Sequence, residues 1–302
     1  MFALAMAIGV IMAIQSAVNA QLRIYVGSAY VTSWVSFTVA LPFLIIMTYV
    51  TGASLGFPLT LFETEPFYIW IGGLCGAVAL MSNVLLFPVL GSVQTAILPI
   101  VGMTIMGMLI DHNGWFQVPH YAFGWARFIG LLLVLTGVVL VVYRKKTVVV
   151  STNRQWLWRL LGIVGGLLLA IQVAVNGRLS TVLHSAPHAA FISFFVGMLT
   201  LACIVVVTKH SFRQVLTPFR EKAPWWIFLG GILGGTFVLA NAYLAGVLGT
   251  GQTVVFALFG QLTASVIVQQ FGLFHSEKNR VRLMQIMGLV IIIVGIAMIQ
   301  LL

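Results

Sequence analysis

Ala13-Ile14-Gln15-Ser16-Ala17-Val18-Asn19 returns with one change as Ala170-Ile171-Gln172-Val173-Ala174-Val175-Asn176, 157 residues later. Working outward, Ser28-Ala29 and Ser36-Phe37 recur without a gap as Ser185-Ala186 and Ser193-Phe194. Beyond residue 60 the offset becomes 158. Gly72-Gly73, Asn83, Gly91, Gln94-Thr95 and Gly102 then recur as Gly230-Gly231, Asn241, Gly249, Gln252-Thr253 and Gly260. Gly114, Gly130 and Gly137 recur as Gly272, Gly288 and Gly295. A single slip over nearly the whole chain marks an internal duplication.

The duplicated unit reads as a membrane unit. Of 302 residues, 61% are hydrophobic and only 7% are charged, with a mean hydropathy of +1.12. Soluble domains carry roughly 25% charged residues, so a water-facing surface cannot be made from this inventory. The apolar runs are too long for barrel strands, which leaves an all-α integral membrane fold. They fall at about 2–22, 31–50, 67–90, 93–111 and 125–143, then at about 160–180, 189–208, 225–248, 252–271 and 284–302. Each is long enough to cross the hydrocarbon, which predicts ten transmembrane helices. The hairpins at Gly91-Ser92 and Gly249-Thr250 are so short that their flanking helices must be antiparallel neighbours. Trp70, Trp115, Trp125, Trp156, Trp158, Trp225 and Trp226 stand at predicted span ends, where amphipathic indoles belong. Pro42 and Pro99 fall within spans and are candidates for kinks.

Five spans per copy is an odd number, so the second copy must enter the membrane in the opposite sense. The basic residues give the orientation. Arg23, Arg144, Lys145, Lys146, Arg154, Arg159, Lys209, Arg213, Arg220, Lys222, Lys278, Arg280 and Arg282 all follow odd-numbered spans. Only Arg127 and Arg178 lie on the opposite side. By the positive-inside rule the larger set faces the cytoplasm and both termini face out. The net charge of +10 is therefore a topology signal rather than a nucleic-acid footprint. The expected organisation is a first five-helix repeat over residues 1–146, a basic cytoplasmic linker over 147–159, and a second, inverted repeat over 160–302. No basic segment precedes the first apolar run, which reads as a span and not as a cleaved signal peptide. Cys75 and Cys203 sit in apolar runs, as small buried hydrophobes do.

The A-I-Q-x-A-V-N opening, the hairpins Gly91–Thr95 and Gly249–Thr253, and the Gly260-Gln261-Leu262 segment together resemble the YdcZ-like family. This is a branch of the drug/metabolite transporter superfamily whose members are often five-span proteins, some occurring as antiparallel pairs or fused two-domain chains. The resemblance covers both halves and implies a bacterial inner-membrane carrier acting as an exporter. The sequence departs from the family pattern in complementary ways. Gln269 stands where the pattern has Asp, while the first half keeps Asp111 but reads Gly102-Met103-Thr104. The fused halves have divided the motif between them.

Polar residues in the spans are few enough to name. Gln15 and Asn19 are four apart and share one helical face, as do Gln172 and Asn176. Asn83 and Asn241 form a second repeated pair, and Gln261 sits near mid-span. An amide left without a partner in hydrocarbon costs several kcal/mol, so these groups must face the protein interior or a wet cavity. All seven are candidates for contacting substrate. The competing reading is interhelical hydrogen bonding, worth ~0.6 kcal/mol per bond. The spacings Gly72-x3-Gly76, Gly230-x3-Gly234 and Gly231-x3-Gly235 permit close helix approach. Ser92, Gln94, Thr250 and Gln252 open the spans that follow the two hairpins and are read as helix caps.

Asp111 is the only carboxylate near the membrane interior, which makes it the candidate for proton coupling. The alternative is an ion pair at the rim with Arg127. His184 and His188 are separated by Pro187 in a short loop, and no metal site or cofactor is expected. No Gly-rich phosphate loop is present, which excludes an ATPase within this chain, and no convergent catalytic group suggests an enzyme. The sequence thus predicts a secondary transporter, an exporter of a small organic solute working by alternating access as a monomer or homo-oligomer. A lipid or lipid-linked flippase of the same fold is the alternative.

Overall fold

A chain crossing hydrocarbon must pair its own backbone N–H and C=O groups, and every apolar run described folds as helix. The structure is a computed structural model and describes residues 1–57, 59–118, 120, 122–142, 155–248, 250–276, 278 and 280–301. Among these residues there is no strand. The long helices are α1 (Phe2–Val26), α2 (Ala29–Val50), α3 (Gly72–Gly91), α4 (Val93–Asn113) and α5 (Trp125–Val142). They continue with α6 (Gln155–Leu183), α7 (Ala186–Val207), α8 (Gly230–Leu248), α9 (Thr250–Phe271) and α10 (Leu283–Leu301). Six of them, α1 to α4, α6 and α7, are long and apolar enough to cross a membrane. The other apolar helices contribute shorter segments: Trp125–Val141, Trp225–Asn241, Phe256–Phe271 and Leu283–Ile299. Large apolar side chains such as Ile46, Val139 and Val207 are exposed along the helices, as a lipid-facing surface requires.

Two expected spans begin later than the apolar pattern suggests. Pro66 and Pro224 are each followed by a 3₁₀ turn, Phe67–Trp70 and Trp225–Leu229, before α3 and α8 start at Gly72 and Gly230. Proline offers no N–H and sets an extended entry, so the first turn tightens before regular helix begins. Ser28 and Ser185 open α2 and α7, each side chain accepting from the backbone N–H three residues on. The chain reverses between α3 and α4 at Gly91, whose φ of 77° and ψ of 172° are open essentially to glycine alone. Both arms of this hairpin lie along α6, α3 antiparallel to it and α4 parallel. Gly76 meets Gln172 and Gly72 meets Asn176, while Gly102 meets Ile163 and Leu98 meets Gly162.

The close contacts come in reciprocal sets. A methyl at Gly9 would collide with the Ala257 carbonyl, and one at Gly166 with the Pro99 carbonyl. The same relation links Gly102 to the Ile163 carbonyl and Gly260 to the Met6 carbonyl. It also links Gly73 to Ser193 and Gly231 to Ser36. At the periphery α5 crosses α10 antiparallel, with Gly130 against the Gly295 carbonyl and Gly137 against that of Gly288. In each set, the partner positions are those matched by the sequence repeat. α1 of the first half therefore packs on α8 and α9, while α6 of the second packs on α3 and α4.

The contact of Arg23 with α3 does not follow this reciprocity. Pro88 lies inside α3 and cannot donate to the carbonyl four residues back, which is that of Val84. Arg23 at the end of α1 supplies the missing donor, its Nη1 reaching the Val84 carbonyl at 2.8 Å and that of Leu85 at 3.3 Å.

Candidate functional site

α1 and α6 each present a glutamine toward the middle of the bundle, and a glycine on the facing helix makes room for it. The Gln15 amide lies over Gly234 of α8, and the Gln172 amide over Gly76 of α3. Both glutamines are buried. Between them is a small cavity of about 50 Å³, lined by these two residues together with Phe37, Phe194, Asn83 and Gly76. Met12, Leu80, Leu169, Gly234, Phe237 and Val238 complete its walls. No Asp, Glu, Lys, Arg or His is among these lining residues. Phe37 and Phe194 stack with their ring centroids 4.6 Å apart. The Oε1 of Gln15 and the Oδ1 of Asn83 are buried and have no protein donor. Such a site can accept hydrogen bonds from a solute and lay it against aromatic faces, with no fixed charge to oppose or neutralise.

The other amides expected from sequence are placed elsewhere. Asn19 is fully buried, with its amide over Gly230. Its counterpart Asn176 lies over Gly72 and donates from Nδ2 to Ser193 Oγ at 3.1 Å. Asn241 turns back along α8 and donates to the Phe237 carbonyl at 3.1 Å. Gln261 stands on the face of α9 that packs on α1, where its backbone N–H would meet any Cβ at Gly9. The structure therefore brings Gln15, Gln172 and Asn83 to one cavity, but not Asn19, Asn176, Asn241 or Gln261. Gln94 is buried, and its Oε1 accepts no hydrogen bond. The side chains of Ser92, Thr250 and Gln252 lie outside the described residues, as do Gly249 and most of the basic linker. Phe37 and Phe194 were not expected from sequence as cavity residues. Their one signal was the recurrence of Ser-Phe in both halves.

Asp111 lies at the end of α4, away from the cavity, and forms an ion pair with Arg127 of α5 at 3.4 Å. Arg178 of α6 reaches Glu65 at 3.0 Å. The two arginines set apart by the sequence are thus each matched by a carboxylate. Among the described residues no group of three or more His, Cys, Asp or Glu side chains could hold a metal ion.

Among the described residues, several helices long and apolar enough to cross a membrane, with exposed apolar flanks, define the class of multi-pass helical membrane proteins. The profile of the family described as "Putative inner membrane exporter, YdcZ" matches residues 1–140 and 157–298. The chain belongs to that family and is a multi-pass inner-membrane transporter of the exporter type. No curated protein matches the sequence. Among solved structures, one described only as "Crystal structure of protein" aligns over 98% of this chain and 96% of its own, with a TM-score of 0.60 and 13% identity. At that identity the likeness bears on the fold alone.

Proposed function

We propose that the protein is a secondary carrier exporting a small organic solute by alternating access. In this reading ten spans form two inverted five-helix halves, residues 1–146 and 160–302, joined by a cytoplasmic linker at 147–159, with both termini outside. One observation carries it: the cavity is walled by Gln15 and Gln172, Phe37 and Phe194, and Gly76 and Gly234, each pair contributed by matched positions of the two halves. Inverted repeats put the substrate site at their interface near mid-membrane. The antiparallel crossing of α5 and α10 at matched glycines is what a two-fold axis in the membrane plane produces. The family profile, matching one segment in each half, agrees.

Gln15, Gln172 and Asn83 contact the solute, while Asn176 joins α6 to α7 through Ser193 and Asn241 bonds within α8. About 50 Å³ accommodates little more than ordered water, so binding requires the halves to part. A flippase would need a basic pocket at headgroup level, and the uncharged cavity wall favours a free solute instead. The test begins with a thermal-shift metabolite screen on the purified protein. The stabilising compound is then followed into proteoliposomes with and without a proton gradient. Gln15→Ala and Gln172→Ala are each expected to lower flux about tenfold, equivalent to ~1.4 kcal/mol. Unchanged flux in both variants at normal expression would remove the site from the cavity.

A further inference from the structure

A second and much larger cavity, about 590 Å³, opens at the end of the molecule where α6 turns into α7. That volume lies within the ~300–1,000 Å³ range of small-molecule pockets. Thr51, Ser54 and Phe57 from the segment after α2 line it, facing His184, Ser185 and His188 from the turn and the start of α7. None of its lining residues is Asp, Glu, Lys or Arg. The nearby Arg178 and Glu65 are engaged with each other.

His188 gives the cavity its chemistry. The residue is 3% exposed, and its Nε2 is buried with no protein partner. The Leu55 backbone carbonyl is in hydrogen-bonding reach of the ring, and Phe57 stands beside it at 6.1 Å between centroids. A neutral imidazole that donates to a carbonyl through one nitrogen presents the other as an acceptor. The backbone N–H of His188 is already taken by Ser185 Oγ, so the start of α7 does not offer it to an anion.

The duplication supplies an internal comparison. At the opposite end of the molecule the repeat places Gly27 and Val31 where this end has His184 and His188. There the segment after α7 folds onto the α1–α2 turn as two aromatic contacts, Tyr30–His210 and Trp34–Phe212, each 4.9 Å between centroids. The α6–α7 end has ring contacts too, Phe57–Trp70 at 5.4 Å and Phe62–Trp70 at 4.6 Å, but it also holds the cavity and an unpartnered imidazole.

We propose that this cavity is a second solute site, separate from the amide cavity, for a small uncharged molecule with a flat apolar body and an N–H or O–H group directed at His188 Nε2. A carboxylate would bring a lone pair against a lone pair, and a cation would find no carboxylate in the lining. The assignment does not depend on the direction or coupling of transport.

The experiment uses the full-length protein in nanodiscs with isotope-labelled histidine rings, titrated separately with benzamide, benzoate and benzamidinium. These share one ring and differ in charge. Benzamide is expected to shift the His188 signal saturably and to bind at least tenfold more tightly than the other two. His188→Val, which installs the residue found at the matched position, should weaken benzamide at least tenfold. Gly56→Trp should do the same by filling the cavity from a loop position with open space around its Cβ, and it carries the test should His188→Val not fold. Gln15→Ala combined with Gln172→Ala should leave benzamide binding unchanged. The proposal is overturned if benzamide does not bind or if either charged analogue binds as tightly. It is equally overturned if Gly56→Trp has no effect or the glutamine substitutions abolish binding.

Discussion

Gly76 and Gly234 hold the Gln172 and Gln15 amides by lacking side chains of their own, and the kind of atom each glycine faces sorts the consequences of mutation. A methyl at either position would press on the far end of a flexible glutamine, which can swing aside. Gly76→Ala and Gly234→Ala should therefore barely move the melting temperature, yet reduce flux about tenfold because the amides leave their positions. At Gly102 the obstacle is the Ile163 carbonyl, which cannot yield. Gly102→Ala should lower stability by ~1–3 kcal/mol through overpacking, with flux falling only as folded protein is lost. Thermal melts and proteoliposome flux on the same preparations separate the two cases. Asp111 belongs to this scale too. It is part exposed and paired with Arg127 at the end of α4, a setting in which an ion pair is worth about 0–1 kcal/mol. We expect Asp111→Asn to leave the pH profile of transport unchanged. A profile that flattens would return Asp111 to the coupling role that its isolation in the sequence suggested.

At the level of elements, the end of α1 and the Pro88 turn of α3 act as one device. Pro88 leaves the Val84 carbonyl without its helical donor, and Arg23 completes it from another helix. Removing the guanidinium should cost about 1–3 kcal/mol, the penalty for a buried carbonyl left unsatisfied. Pro88→Ala restores the helical N–H, so Arg23→Met should cost distinctly less in that background. A double-mutant cycle read by thermal unfolding measures this coupling, and additive effects would contradict the assignment. Polar residues in apolar runs were legible as interior groups because hydrocarbon leaves them no other place. Which of them would line a cavity was not legible. Asn83 and Asn241 are matched residues, yet one faces the cavity and the other bonds to its own helix at Phe237. Phe37 and Phe194 were hidden too, since an aromatic ring in an apolar span gives no sign of which way it faces. The Arg23 contact needed two helix ends to be brought together, and sequence periodicity carries no information about that meeting.

For the whole molecule, duplication and composition made most of the helical plan readable, because a repeat with a single slip and an apolar inventory leave few architectures. Where matched sequence has diverged, as at Val31 and His188 or at Pro88 and Gly246, the repeat stops predicting the structure. The central claim is that the two halves lie in the membrane in opposite senses around a shared site. Ser54 and Ser211 are matched positions, both exposed, one after α2 and the other after α7. With Cys75 and Cys203 replaced by alanine, Ser54→Cys and Ser211→Cys can be labelled singly by a membrane-impermeant maleimide in intact spheroplasts. The account predicts that Ser54→Cys reacts from outside and that Ser211→Cys reacts only after permeabilisation. Labelling of both from the same side would contradict it.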